Sequence, residues 1–227
     1  MRAGATSPHD GEVKVKTKIR VYLEVGGKRT FASAADWPGW CRSGKDESAA
    51  LEALAAYASR YAAVAKLAKA QFPTGAPTFD VVERLTGNAT TDYGAPGIPA
   101  KDESKPVTAP QAKRMRDLLD ASWTSLDQVV AKAPAELRKG PRGGGRDRDV
   151  MFDHVLGAEL EYAKRIGVRL EQPDGRDRAA VRAFRKAIRD AIDNPKPETK
   201  WTVRYAIRRT AWHALDHAWE IEDRSTP

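Results

Sequence analysis

The chain has 227 residues, enough for one large domain or two small ones around a buried core. Hydrophobic residues make up 41% and charged residues 31%, a soluble globular balance, and no apolar run approaches the roughly 18 residues of a membrane span. The formal net charge of +8 would suit a polyanionic partner, but Lys and Arg are interleaved with Asp and Glu, which favours a mixed-charge solvated surface over nucleic-acid recognition.

The first ten residues are polar and predict a disordered tail. Met1-Arg2-Ala3-Gly4-Ala5 lacks the apolar core of a secretory signal, so a cytoplasmic location is the default expectation. Residues 11–86 predict a small αβ module. Val13, Val15, Thr17, Ile19, Val21, Leu23 and Val25 alternate with mostly charged residues, the period of a strand with one buried face. Gly26-Gly27 supplies a tight turn, and Lys28 to Ala34 returns as the second strand of a hairpin. Asp36-Trp37-Pro38-Gly39-Trp40 breaks the pattern. Cys41 is the only cysteine, which excludes an intramolecular disulfide framework and a cysteine zinc site. No base is visible beside it, so it reads as structural. One helix is expected from about Glu47 to Ala70, and a third strand from Thr78 to Leu85.

Residues 87–107, rich in Gly, Pro, Thr and Asp, read as a linker. Residues 108–227 carry four amphipathic helices: Gln111 to Ala133, a second capped by Asp147 or Asp149 and running to Ile166, Asp177 to Ile192, and Thr202 to Glu222. One apolar stripe on each is best buried in a four-helix bundle. The fold class expected is therefore α+β, with an N-terminal hairpin and helix followed by the bundle.

Three histidines occupy informative places. His213 and His217 are four apart, so they stack on one helix face within reach of a common metal. His154 lies on the second bundle helix in register with Val150, Met151, Ala158 and Glu161, which reads as an inward stripe. Three imidazoles would leave coordination positions open to water or substrate. Asp216 and Glu220 lie on or beside the histidine face, where either can accept the outer imidazole N–H; an ion pair of Asp216 with Arg208 or Arg209 is the alternative. Trp212 and Trp219, seven apart, read as core. Gly143-Gly144-Gly145, flanked by Arg142, Arg146 and Arg148, reads as a flexible loop, with anion binding at the helix start as its functional alternative.

The runs Val150-Met151-Phe152-Asp153-His154-Val155-Leu156-Gly157-Ala158-Glu159 and Ala211-Trp212-His213-Ala214-Leu215-Asp216-His217-Ala218-Trp219-Glu220-Ile221-Glu222-Asp223 resemble the second-helix and closing-helix histidine segments of the DinB-like (DinB/YfiT-like) metalloenzyme superfamily. The resemblance covers about Thr108 to Arg224. It implies a bundle with one long crossover and a zinc or nickel ion held by His154, His213 and His217. It further implies thiol-dependent transferase or isomerase chemistry with a low-molecular-weight thiol cosubstrate, whose carboxylates Arg142, Arg146 and Arg148 could meet. The N-terminal module more weakly resembles HicB-like antitoxin domains, through its hairpin, Pro38-Gly39 with Gly44, and Ala-rich helix. That likeness implies a second reading, a non-enzymatic interaction module with a protein or nucleic-acid partner and a structural or vestigial metal site.

Overall fold

A computed structural model describes residues 18–140 and 144–225. The predicted tail and the first half of the long strand, Val13 to Thr17, lie outside the described residues. Strand β1 is Ile19–Val25, β2 is Thr30–Ala34, β3 is Cys41–Gly44 and β4 is Phe79–Thr86. They form one sheet in the order β3-β2-β1-β4, antiparallel except for the parallel β1–β4 pair. The third strand expected from Thr78 to Leu85 is thus the fourth. Strand β3 escaped notice because four residues, Cys-Arg-Ser-Gly, are too short and polar to show a period.

The alternation in β1 predicts one buried face, and here the structure differs. Val21 and Leu23 are buried on one side, and Tyr22 and Glu24 are buried on the other. Both faces are covered. On the first, Val21, Leu23, Ala32 and Ala34 pack against Leu54, Tyr61, Val64 and the indoles Trp37 and Trp40. These come partly from two helices, α1 (Glu47–Ala56) and α2 (Ala58–Leu67), in place of the single helix expected to run to Ala70. The break has a cause that no Gly or Pro announces. The Trp40 indole N–H donates to the Leu54 carbonyl at 2.9 Å, and the Tyr57 N–H turns back onto the same oxygen at 3.3 Å. That carbonyl is drawn out of the i→i+4 ladder, and the helix is interrupted at Tyr57.

The other sheet face is covered by residues 87–107 and by the last helix. The stretch that reads as a linker contains a short helix, α3 (Ala89–Tyr93), and a 3-10 turn at Lys101–Ser104. Its polar groups are tied to the sheet. Buried Glu24 accepts hydrogen bonds from Thr91 Oγ1 (2.5 Å), Gly97 N (2.8 Å) and Ile98 N (3.0 Å). A carboxylate with three donors is stable inside, whereas an unpaired one is not.

Helices α4 (Ala109–Lys132), α5 (Arg148–Arg165), α6 (Arg178–Asp193) and α7 (Val203–Ser225) share one apolar core. Thr108 caps α4 in a reciprocal box with Gln111, and Asp177 caps α6 through Ala179 and Ala180. Asp147 sits at the start of α5 but accepts instead from Leu137 N. One charged cluster crosses this core. Glu159, wholly buried on α5, accepts from the Trp123 indole on α4 at 2.9 Å and from Arg185 on α6 at 3.2 and 3.3 Å. Burial pushes the Glu159 carboxyl up, and Arg185 and Trp123 act against that shift.

Helix α7 belongs to both halves. Trp212 packs with Phe31 and Cys41 on one sheet face, while Leu215 and Trp219 join the core on the other. Gly39, with φ of 93°, lies so close to α7 that a Cβ there would meet Leu215 Cδ1 at 2.6 Å; only glycine combines that backbone angle with that approach. No helix among the described residues is long and apolar enough to cross a membrane.

Candidate metal centre

The i, i+4 spacing on α7 stacks His213 and His217 as expected, and α5 brings His154 against them. The ring centroid of His154 is 5.1 Å from each, and one nitrogen from each of the three side chains lies within 4.8 Å of the others. Three histidines so placed can hold a metal ion. The stripe that was expected to carry His154 inward is corrected in part. Met151 is buried, but Val150 and Glu161 are exposed, and the buried line runs through Phe152, Val155, Leu156 and Glu159. His154 stands at the border of that line, half-buried, and so gives the cluster its open side.

Hydrogen bonding decides which nitrogens are available. Glu220 Oε2 lies 3.0 Å from His217 Nδ1 and so keeps the proton on Nδ1, leaving the Nε2 lone pair bare. That Nε2 faces His213 Nε2 at 3.2 Å. His213 is 7% exposed, and its Nδ1 has no hydrogen-bond partner among the described residues. If His213 carries its proton on Nε2, its buried Nδ1 lone pair is left without a donor. If it carries the proton on Nδ1, two lone pairs point at each other. A cation between them resolves the second arrangement. Two nitrogens bound tetrahedrally at about 2.0–2.1 Å stand about 3.4 Å apart, near the separation present here.

Of the two acidic neighbours, Glu220 takes the supporting role. Asp216 pairs instead with Arg42 of β3 at 2.8 Å, a partner 174 positions away that neither sequence alternative named. Arg208 pairs with Glu103, and Arg209 donates to the Tyr162 hydroxyl. Arg224 holds the other Glu220 oxygen at 2.9 Å. The His217 hydrogen bond keeps the Glu220 carboxyl below the usual carboxylate range, against the effect of burial. Glu220→Gln is expected to weaken metal affinity by about 10–100-fold, the usual effect of losing an orienting carboxylate, in a competition titration against a chelator. Unchanged affinity would remove Glu220 from the site.

Burial, then the charge of neighbouring groups, pushes His154 down and His213 well below the ordinary imidazole value of about 6.5. Below that value the unfolded chain binds protons that the folded chain refuses, so stability is lost as pH falls from there toward the folded values. We expect the denaturation midpoint of the metal-free protein to drop between about pH 7 and about pH 5. The drop should be smaller in a His213→Ala variant, and an identical pH dependence in the two proteins would contradict it.

Cys41 is buried with its thiol pushed up to about 12 by desolvation, which suits the structural reading. Trp212 and Trp219 are packed in the cores described above. In the glycine loop, Pro141, Arg142 and Gly143 lie outside the described residues. Arg148 is engaged by Asp149 Oδ1 (2.7 Å) and the Ala133 carbonyl (2.8 Å), and Arg146 is exposed. Two further residues stand at the cluster: Tyr162, which no sequence reading names, and Arg209, which the sequence offers only as a partner for Asp216. Tyr162 and Arg209 continue the lines of His154 and His213 by whole turns, at i+8 and i−4, and that spacing was the available signal. Comparison with protein-family models, curated proteins and solved structures gives no match for this chain.

Proposed function

We propose that the chain is a divalent-metal protein whose ion, zinc or nickel, is held by His154, His213 and His217, and that it acts as a thiol-dependent transferase or isomerase. The observation that carries this reading is the pair of Nε2 atoms at 3.2 Å, one of them bare, with the half-buried His154 ring 5.1 Å from each of the two rings. Imidazole donors suit zinc and nickel, and three of them leave part of the shell for a small molecule. The likeness of both histidine segments to the DinB-like superfamily supports the same reading. When bound, the ion would lower the pKa of a coordinated thiol and supply a thiolate near neutral pH. In this reading Glu220 fixes the His217 tautomer, the α5–α7 contact fixes the ring angles, and the open side at His154 admits the cosubstrate.

Elemental mass spectrometry on tag-free protein beside a His213→Ala/His217→Ala double variant tests the site. About one ion per chain, lost in the variant, is the expected result. Parent protein that neither carries nor takes up Zn²⁺ or Ni²⁺ would end the reading. If low-molecular-weight thiols leave the absorption spectrum of Co²⁺-loaded protein unchanged, the thiol mechanism goes and the metal site stays.

A further inference from the structure

Arg209 sits one turn before His213 on α7 and is 5% exposed. Its Nη2 donates to Tyr162 Oη at 3.0 Å, and its Nε and Nη1 have no acceptor among the described residues. The other two buried arginines are each matched by carboxylates, Arg185 by Glu159 and Asp127, Arg208 by Glu103. Arg209 forms no ion pair among the described residues; the faces of Trp212 and Tyr162, 4.7 and 5.2 Å from its guanidinium carbon, are what flank it. Aromatic faces stabilise a buried cation but accept none of its N–H groups in line. An arginine cannot shed its proton to escape this position. An acceptor with negative charge on the side of Nε and Nη1 would stabilise the arrangement further.

The position of that side follows from the two helices. His154, Ala158 and Tyr162 descend α5 at intervals of four. Along α7, His217, His213 and Arg209 run in the opposite sense: His154 meets His213 and His217, and Tyr162 meets Arg209 and lies 6.0 Å from His213. Between His154 and Tyr162 stands Ala158, half-buried, whose methyl group leaves more room than any longer side chain. Because the Tyr162 hydroxyl accepts from Arg209, its own proton remains free to be donated.

We propose that Arg209 and Tyr162 form an anion-binding subsite one helical turn from the histidine cluster, and that it takes the carboxylate of a small ligand. In its fuller form the inference rests on the metal reading given above, with the ligand's other end at the ion. Two positive centres one turn apart in a dry setting then require a negative group between them. The substrate or cosubstrate class is a short carboxylic acid, not a neutral thiol or an extended chain.

Full-length protein loaded with Co²⁺ is titrated with 3-mercaptopropionate and with 3-mercaptopropan-1-ol, which differ in the charged end alone. The wild type should bind the carboxylate at least about tenfold more tightly, the scale of a charge-assisted hydrogen bond. In Arg209→Met that preference should vanish while Co²⁺ is still bound, and Arg209→Lys should keep part of it. An equal preference in Arg209→Met, or none in the wild type, overturns the subsite. If the wild type binds no Co²⁺, the metal reading has failed by itself, and the metal-free protein judges the subsite. Propionate at matched ionic strength must then raise the melting temperature of the wild type and not of Arg209→Met, and equal responses overturn it. A folding defect is distinguished by the ligand-free melting temperature of Arg209→Met. This should equal or exceed that of the wild type, because an uncompensated buried charge has been removed; a lower value marks Arg209 as a structural residue and overturns the proposal.

Discussion

His213→Ala is expected to lower zinc affinity by more than about 100-fold, beyond the range for loss of a supporting carboxylate such as Glu220. The reason is geometric. His213 is the most buried of the three rings, and its Nε2 faces the bare Nε2 of His217. Without it, only two imidazoles on separate helices remain, and neither a tetrahedral shell nor the short nitrogen pair survives. The consequence for folding should appear only when metal is present. A ligand at about 1,000 times its dissociation constant stabilises the folded state by about 4 kcal/mol, which for a domain of this size raises the melting temperature by roughly 8–16 °C. Wild-type protein should show that rise on adding zinc. At an affinity about 100-fold weaker the same zinc stabilises by no more than about 1.4 kcal/mol, so His213→Ala should rise by at most roughly 3–6 °C, with a metal-free melting temperature near that of the parent, since the deleted ring had an unsatisfied nitrogen. A full zinc-dependent rise in the variant would mean that the ion binds elsewhere.

The second large effect concerns stability alone. Arg208 and Glu103 are each 5% exposed and joined through Nε–Oε1 at 2.6 Å and Nη2–Oε2 at 2.9 Å, linking α7 to the 3-10 turn beside the sheet. Glu103→Leu should cost about 3–5 kcal/mol, because the guanidinium left behind is buried and cannot neutralise. At roughly 2–4 °C per kcal/mol, the melting temperature should fall by about 6–20 °C. The mirror-image change in the other buried pair should cost less. In Arg185→Met the remaining Glu159 can take up a proton, and burial already pushes its carboxyl upward. The folded variant then binds more protons than the unfolded chain in the weakly acidic range, so its deficit should shrink as pH falls. Equal losses from the two substitutions, unaffected by pH, would contradict this account. Thermal or urea denaturation of both variants supplies the comparison.

How much of this was legible in the sequence depended on whether the signal was local. His213 and His217 announce themselves because four residues make about one helical turn. The β1–β2 hairpin was visible through its alternation and its Gly26-Gly27 turn, and the four C-terminal helices through their apolar stripes. The misreadings share an origin in distant partners. Alternation in β1 says that one face is apolar, but it does not reveal that Thr91, Gly97 and Ile98 supply donors for Glu24 on the other. The interruption at Tyr57 depends on an indole 14 positions before the carbonyl that it captures. Asp216 and Glu220 look interchangeable beside the histidines until Arg42 is found to occupy one of them. Arg209 resembles any other arginine in a helix of mixed charge until its burial is known.

The place of α7 has a practical outcome for anyone dividing this chain. A cut near residue 107, where composition alone suggests a joint, would strip the last helix of the sheet it leans on. The excised C-terminal piece would present Trp212, Leu215 and Trp219 to water and leave the buried Arg208 without Glu103. The N-terminal piece would lose the cover over Phe31 and Cys41. Such fragments are candidates for aggregation rather than independent study. The histidine cluster is therefore best approached by point substitution in the intact polypeptide, where a loosened sheet and a damaged metal site can be told apart.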